Sequence, residues 1–106
     1  MNELKDKIVA ILEDMGATDV TVIDLQGKTV IADTFILATG RSTTNVRAIA
    51  DAVEDKIEKE EGVAVLKREG RDEANWIVLD YDEIIVHVFS KETRQRYSLE
   101  MLWGEN

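Results

Sequence analysis

Residues 76–89 read WIVLDYDEIIVHVF, two apolar runs broken by four residues of which three are acids. The runs at 76–79 and 84–89 are apolar at nearly every position. Successive side chains of a strand point to opposite faces, so a strand with one wet face alternates apolar and polar residues. These two do not alternate. They predict a sheet covered on both faces over at least part of its area, or one face kept for a partner. A chain of 106 residues holds one core rather than two, so a single domain over residues 1–106 is expected. With 44% hydrophobic residues the composition suits a packed globule, not a disordered chain.

Other elements follow from periodicity. Leu4, Ile8, Ile11, Leu12 and Met15 fall on one helical face, with Asn2 as cap and Gly16 as stop. A strand is expected over 20–25, a turn at Gln26-Gly27-Lys28, and a short extended piece over 29–32. A second strand covers 35–39 and closes at Gly40. A long helix starts near Ser42 or Thr43 and stops at Gly62. In it Val46, Ile49, Ala50, Val53 and Ile57 recur at helical spacing, while Arg47, Asp51, Glu54, Asp55 and Glu58 face water. Residues 63–66 are expected as a third strand and 67–75 as a loop or ragged strand end. After the strands at 76–79 and 84–89 the chain turns helical from Lys91, with Tyr97 and Met101 on the inner side. The fold class is α/β, a five-stranded sheet flanked by helices in the order α-β-β-α-β-β-β-α.

Charge and composition exclude several functions. The net charge is −9, from 13 basic and 22 acidic residues. Such a chain repels phosphate backbones, which argues against general nucleic-acid binding and for a basic protein partner. The loop cations Lys67, Arg68 and Arg71 leave a local contact with RNA open. There is no cysteine, hence no disulfide, thiolate metal site or cysteine nucleophile. No apolar run approaches the ~20 residues of a membrane span. The N-terminus carries Glu3 and Asp6 and lacks a signal-peptide core, which points to the cytoplasm.

The acids of residues 80–83 admit two readings. Asp80 and Asp82, two apart on a strand, point the same way and suit a divalent cation. With the turn at Gly40-Arg41-Ser42 they loosely resemble a nucleotidyltransferase site, though about forty residues separate the two parts. The other reading is a solvated hairpin tip, where Asp tolerates positive φ, and the residue types favour it. His87, on a strand with Ile85 and Phe89, fits a half-buried structural histidine better than a catalyst, since no serine or second base stands out as its partner. The segment from Gly40 to Asn45 lacks the repeated glycines of a phosphate loop, so Ser42 or Thr43 serves there as an N-cap. Among the aromatics, Phe35, Phe89 and Trp76 suit a core. Tyr81 at a hairpin tip and Trp103 near the C-terminus are harder to bury, and exposed Tyr and Trp favour interfaces.

The ordered set of segments resembles a known family. Asp24-Leu25-Gln26-Gly27-Lys28 and Ala32-Asp33-Thr34-Phe35-Ile36-Leu37-Ala38-Thr39-Gly40 are similar to the first half of the ribosomal silencing factor (Iojap-related) family. Trp76-Ile77-Val78-Leu79-Asp80-Tyr81 with Ile84-Ile85-Val86-His87-Val88-Phe89 resembles its central hairpin. Arg94, Tyr97, Leu99, Glu100, Leu102 and Trp103 match its closing pattern, so the likeness runs from about residue 4 to 103. The resemblance implies a mixed sheet related to the nucleotidyltransferase fold but without enzymatic activity or a cofactor. It implies binding to the ribosomal protein numbered fourteen on the intersubunit face of the large subunit. Small-subunit joining is thereby blocked and translation lowered when nutrients are scarce. The family usually has glycine where this chain has Asp82, which marks a turn position, whereas Asp80 and Glu83 match family acids. The partner-binding set under this reading is Trp76, Asp80, Tyr81, Glu83, Tyr97, Glu100 and Trp103, with Trp76 and Tyr97 divided between interface and core. Two rivals remain: a metal-dependent nucleotidyl- or phosphotransfer enzyme built on Asp80, Asp82 and the Gly40 turn, and a homodimeric scaffold paired through the apolar tail or a sheet edge.

Overall fold

A computed structural model describes residues 2–96. The elements are α1 (Asn2–Asp14), β1 (Thr18–Asp24), β2 (Thr34–Gly40), α2 (Thr43–Glu61), β3 (Lys67–Glu69), β4 (Trp76–Asp80), β5 (Ile84–Ser90) and α3 (Lys91–Arg96). That is the expected order. The strands form one mixed sheet, β1-β2-β5-β4-β3, in which only β2 and β5 run parallel.

The helices end where the sequence places their signals. Ser42 accepts a hydrogen bond from the Asn45 N–H at 3.1 Å and caps α2. Gly62, at φ 70°, donates to the Glu58 carbonyl and closes it. That left-handed conformation is nearly free for glycine and costs other residues more. The α2 stripe Val46, Ile49, Ala50, Val53 and Ile57 is buried as spacing requires. In α1, Ile8, Ile11 and Leu12 are buried, and Gly16 at φ 81° ends the run. The expected Asn2 cap rests on a side chain outside those described.

β5 is the middle strand, and six of its seven residues are buried, which explains why it is apolar at every position but His87 and Ser90. Ile84, Val86 and Val88 point to the face carrying α1 and α2. Ile85 and Phe89 point to the other face, with Phe35 and Leu37 of β2 and Leu25 and Ala32 of the connecting loop. Each such aliphatic or aromatic side chain contributes roughly 1.5–3 kcal/mol on burial.

Three expectations need correction. Residues 63–66 are not a strand. Val63 and Val65 are partly buried and packed against the helix-side core, and Leu66 is exposed. The third strand is instead Lys67–Glu69, all exposed, paired with Val78 to Asp80 of β4. Charged side chains suit that position, since an edge strand blunts unwanted pairing with Lys, Arg and Glu. The expected extended piece over 29–32 is an irregular loop that leaves Val30 and Ile31 exposed. Tyr81 is buried at 6% exposure rather than standing at an exposed tip.

Candidate functional site

β4 organises the site. Its side chains alternate, with Ile77 and Leu79 buried towards the helices and Trp76, Val78 and Asp80 half-buried on the opposite face. Trp76 and Asp80 stand four residues apart, so this face is about 13 Å long at 3.3 Å per residue.

At one end is an aromatic group. Trp76 lies beside Phe89, ring centroids 5.0 Å apart. Its indole N–H donates to His87 Nδ1 at 3.0 Å. His87 packs edge-on against Phe35 at 4.6 Å and stacks on Phe89 at 6.0 Å. The imidazole is buried rather than half-buried, and burial pushes its pKa down to about 4, so it is neutral at cellular pH. Since Nδ1 accepts, the neutral ring carries its proton on Nε2, and that atom has no hydrogen-bond partner among the described residues. The body of Trp76 packs on the core while part of the side chain stays accessible.

At the other end is the acidic turn. The Tyr81 N–H donates to the Ile84 carbonyl at 2.9 Å and the Glu83 N–H to the Tyr81 carbonyl at 3.0 Å. Asp82 sits at φ 77° and its N–H donates to Asp80 Oδ1 at 2.7 Å. The Asp80 carboxylate thus supports a left-handed residue that is not glycine. Tyr81 turns under the hairpin towards α2. Desolvation raises its phenol to about 12, with the charges of Glu54 and Glu58 adding to the rise. The Glu83 carbonyl accepts from the N–H groups of Asp33 and Thr34 at 2.9 and 3.1 Å, pinning the β1–β2 loop to the turn. Asp24, Asp33 and Glu83 consequently line one shallow groove of about 330 Å³. Sequence reasoning missed Asp24 and Asp33 as neighbours of the turn, because no local pattern encodes a loop pinned through a carbonyl.

The geometry opposes a nucleotidyltransferase site. β4 ends at Asp80, so Asp82 lies in the turn and does not share its strand face. Among the described residues no group of three or more His, Cys, Asp or Glu is placed to hold a metal ion. In the parallel pair Thr34 faces Ile84 and Gly40 faces Ser90. The Gly40 turn and the acidic turn therefore lie at opposite ends of the sheet, about 20 Å apart at 3.3 Å per residue. Gly40 has a packing reason of its own, since a Cβ there would come within 2.8 Å of Val46 Cγ2.

The basic side chains of β3 and the loop after it are already paired. Arg71 holds Asp51 at 2.7 Å, Arg68 holds Glu54 at 2.6 Å and Lys67 holds Glu69 at 3.1 Å. Arg71 keeps the Asp51 carboxyl below its usual range. Arg47, expected to face water, donates to the carbonyls of Arg71 and Asp72. Acids of α2 thus meet Arg68 of β3 and Arg71 of the β3–β4 loop. Beneath the aromatic group, buried Arg94 donates to Thr39 Oγ1 at 2.8 Å and Thr21 Oγ1 at 3.1 Å, tying α3 to the sheet. Its place in the closing pattern marks Arg94, but no local pattern identifies its partners. Tyr97, Glu100 and Trp103 lie outside the described residues.

A family model described as "Ribosomal silencing factor during starvation" matches residues 1–106. The chain belongs to the ribosomal silencing factor family. A silencing factor of this family from Bacillus subtilis is 41% identical over 96 residues, 91% of this chain and 80% of that protein. A crystal structure of a Chromobacterium violaceum protein superposes with a TM-score of 0.94 at 32% identity, covering all of this chain and 88% of that one. A mouse protein named "Mitochondrial assembly of ribosomal large subunit protein 1" is 29% identical over 100 residues, 92% of this chain and 44% of that protein. Membership of the silencing factor family supports a ribosome-associated silencing role for the chain. Among the described residues no helix is long and apolar enough to cross a membrane.

Proposed function

We propose that the protein binds the large ribosomal subunit through the ribosomal protein numbered fourteen, on the intersubunit face, and blocks joining of the small subunit in the cytoplasm. The observation that carries this reading is the β4 face, where a half-buried indole at one end of the strand and an acidic turn at the other are held by hydrogen bonds. Trp76 supplies the apolar anchor and Asp80 and Glu83 the charge. Tyr81 supports the turn from beneath. Tyr97, Glu100 and Trp103 complete the contact set. A net charge of −9 complements a basic ribosomal protein and disfavours the surrounding rRNA, so it directs docking. Arg68 and Arg71 are each paired with an acid of α2, which reduces the positive charge they offer to rRNA. The protein acts by occupying a surface, with no catalytic step and no cofactor, and the bound volume overlaps the place of the small subunit.

Glu83→Lys tests the charge component. The Glu83 side chain is exposed and the structural bonds at this position come from its backbone, so the variant folds with an unchanged melting temperature. Its association with isolated large subunits slows by about tenfold or more at low salt, and the difference shrinks as salt rises. Unchanged association kinetics would remove the acidic turn from the contact.

A further inference from the structure

His87 is unusual for a core position. It is buried in a group of aromatic rings where an apolar residue would pack at no polar cost. Its Nε2 has no hydrogen-bond partner among the described residues, and a buried unmatched donor is destabilising. Mere stability would not select imidazole here. What imidazole adds is one acceptor, Nδ1, aimed at the Trp76 indole N–H. Trp76 is half-buried, and this bond sets the direction in which its indole N–H points. The bond therefore selects an orientation. It fixes the ring across Phe89 and turns its only polar atom inward.

We propose that His87 is a positioning residue for partner binding: it captures the Trp76 indole N–H so that the docking protein meets a pre-set, wholly apolar indole surface. The inference rests on the β4 face being the docking face. A fixed aromatic anchor loses less conformational freedom on binding than a mobile one, so the effect appears as affinity. Asn at this position keeps an acceptor two bonds from Cβ, as Nδ1 is, whereas Phe keeps the ring and removes the acceptor.

The test combines nitrogen-15 NMR with large-subunit binding. The chain has two tryptophans, so Trp76→Phe assigns the indole signals. In the wild type we expect a through-bond coupling between the Trp76 indole nitrogen and His87 Nδ1, with the imidazole proton on Nε2. His87→Phe should raise indole N–H exchange with solvent and weaken binding to purified large subunits by about tenfold, and His87→Asn should recover affinity to within about threefold of wild type. Absence of the coupling in the wild type would overturn the proposal without any variant. Wild-type affinity in His87→Phe, or His87→Asn as weak as His87→Phe, would also overturn it. Failure of the wild type itself to bind large subunits, with the coupling present, would instead overturn the docking reading and with it the role assigned to the bond.

Discussion

The two faces of this sheet are built from the same strands to different ends. On one, Ile36, Ala38, Ile77, Leu79, Val86 and Val88 lie beneath α1 and α2 and are fully or almost fully buried. Its side chains are aliphatic apart from Tyr81, whose phenol is buried beneath the turn. On the other, Phe35, Leu37 and Phe89 are buried, but Trp76, Val78 and Asp80 along β4 are not. That face also holds His87, Thr39 and Arg94, all polar and buried. The difference bears on the proposed docking: the helix face is mainly an aliphatic core that carries stability, whereas the aromatic face buries His87, Thr39 and Arg94 beside a half-buried β4 edge.

Three perturbations sharpen that comparison. The largest effect belongs to the helix face. Leu79→Ala removes a fully buried side chain and should lower unfolding free energy by about 3 kcal/mol in urea denaturation. The fraction that remains folded should bind large subunits as tightly as wild type. Weakened binding per folded molecule would show that the two faces are not separate in function.

The next effect belongs to the aromatic face and is driven by pH. His87 ordinarily titrates near 6.5 and in the folded protein near 4, because burial opposes its charge. Between those values the unfolded chain binds a proton that the folded chain refuses. Stability is therefore complete above pH 6.5 and falls as pH drops towards 4, by up to about 3 kcal/mol from this group. Unfolding curves at pH 7 and 4.5 should show a loss in wild type that is smaller in His87→Phe. Equal losses would place the acid sensitivity elsewhere.

The smallest effect lies at the turn. Asp82 occupies φ 77°, which glycine adopts without steric cost. The bond to Asp80 uses the backbone N–H of residue 82 and survives substitution. Asp82→Gly should raise stability by about 0.5 kcal/mol and leave binding unchanged, read as a small rise in melting temperature. A fall would mean that the Asp82 side chain supports the turn in its own right.

Much of the helix face was legible in the sequence. The α2 stripe, its Ser42 cap and its Gly62 stop are local signals, and the non-alternating run of β5 announces a central strand. β3 was not legible, because an edge strand of Lys, Arg and Glu has no apolar period. The apolar signal lies instead in Val63, Val65 and Leu66, just before it. The inward turn of Tyr81 had a signal that outweighs its place in the hairpin: counting by two from Ile77 and Leu79 reaches it. The bond between Trp76 and His87 had none. It joins residues on neighbouring strands that only the register brings together, with Trp76 opposite Phe89 and Val78 opposite His87. The same holds for Arg94, whose threonine partners come from β1 and β2.

The central claim is that a bound copy of this protein keeps the ribosomal subunits apart. Sucrose-gradient sedimentation of purified subunits under joining conditions, with and without excess protein, tests it most directly. We expect the protein to travel with the large subunit and the joined-ribosome peak to shrink, and Glu83→Lys to restore that peak. Wild-type protein left at the top of the gradient, with subunits joining as they do without it, would contradict the account.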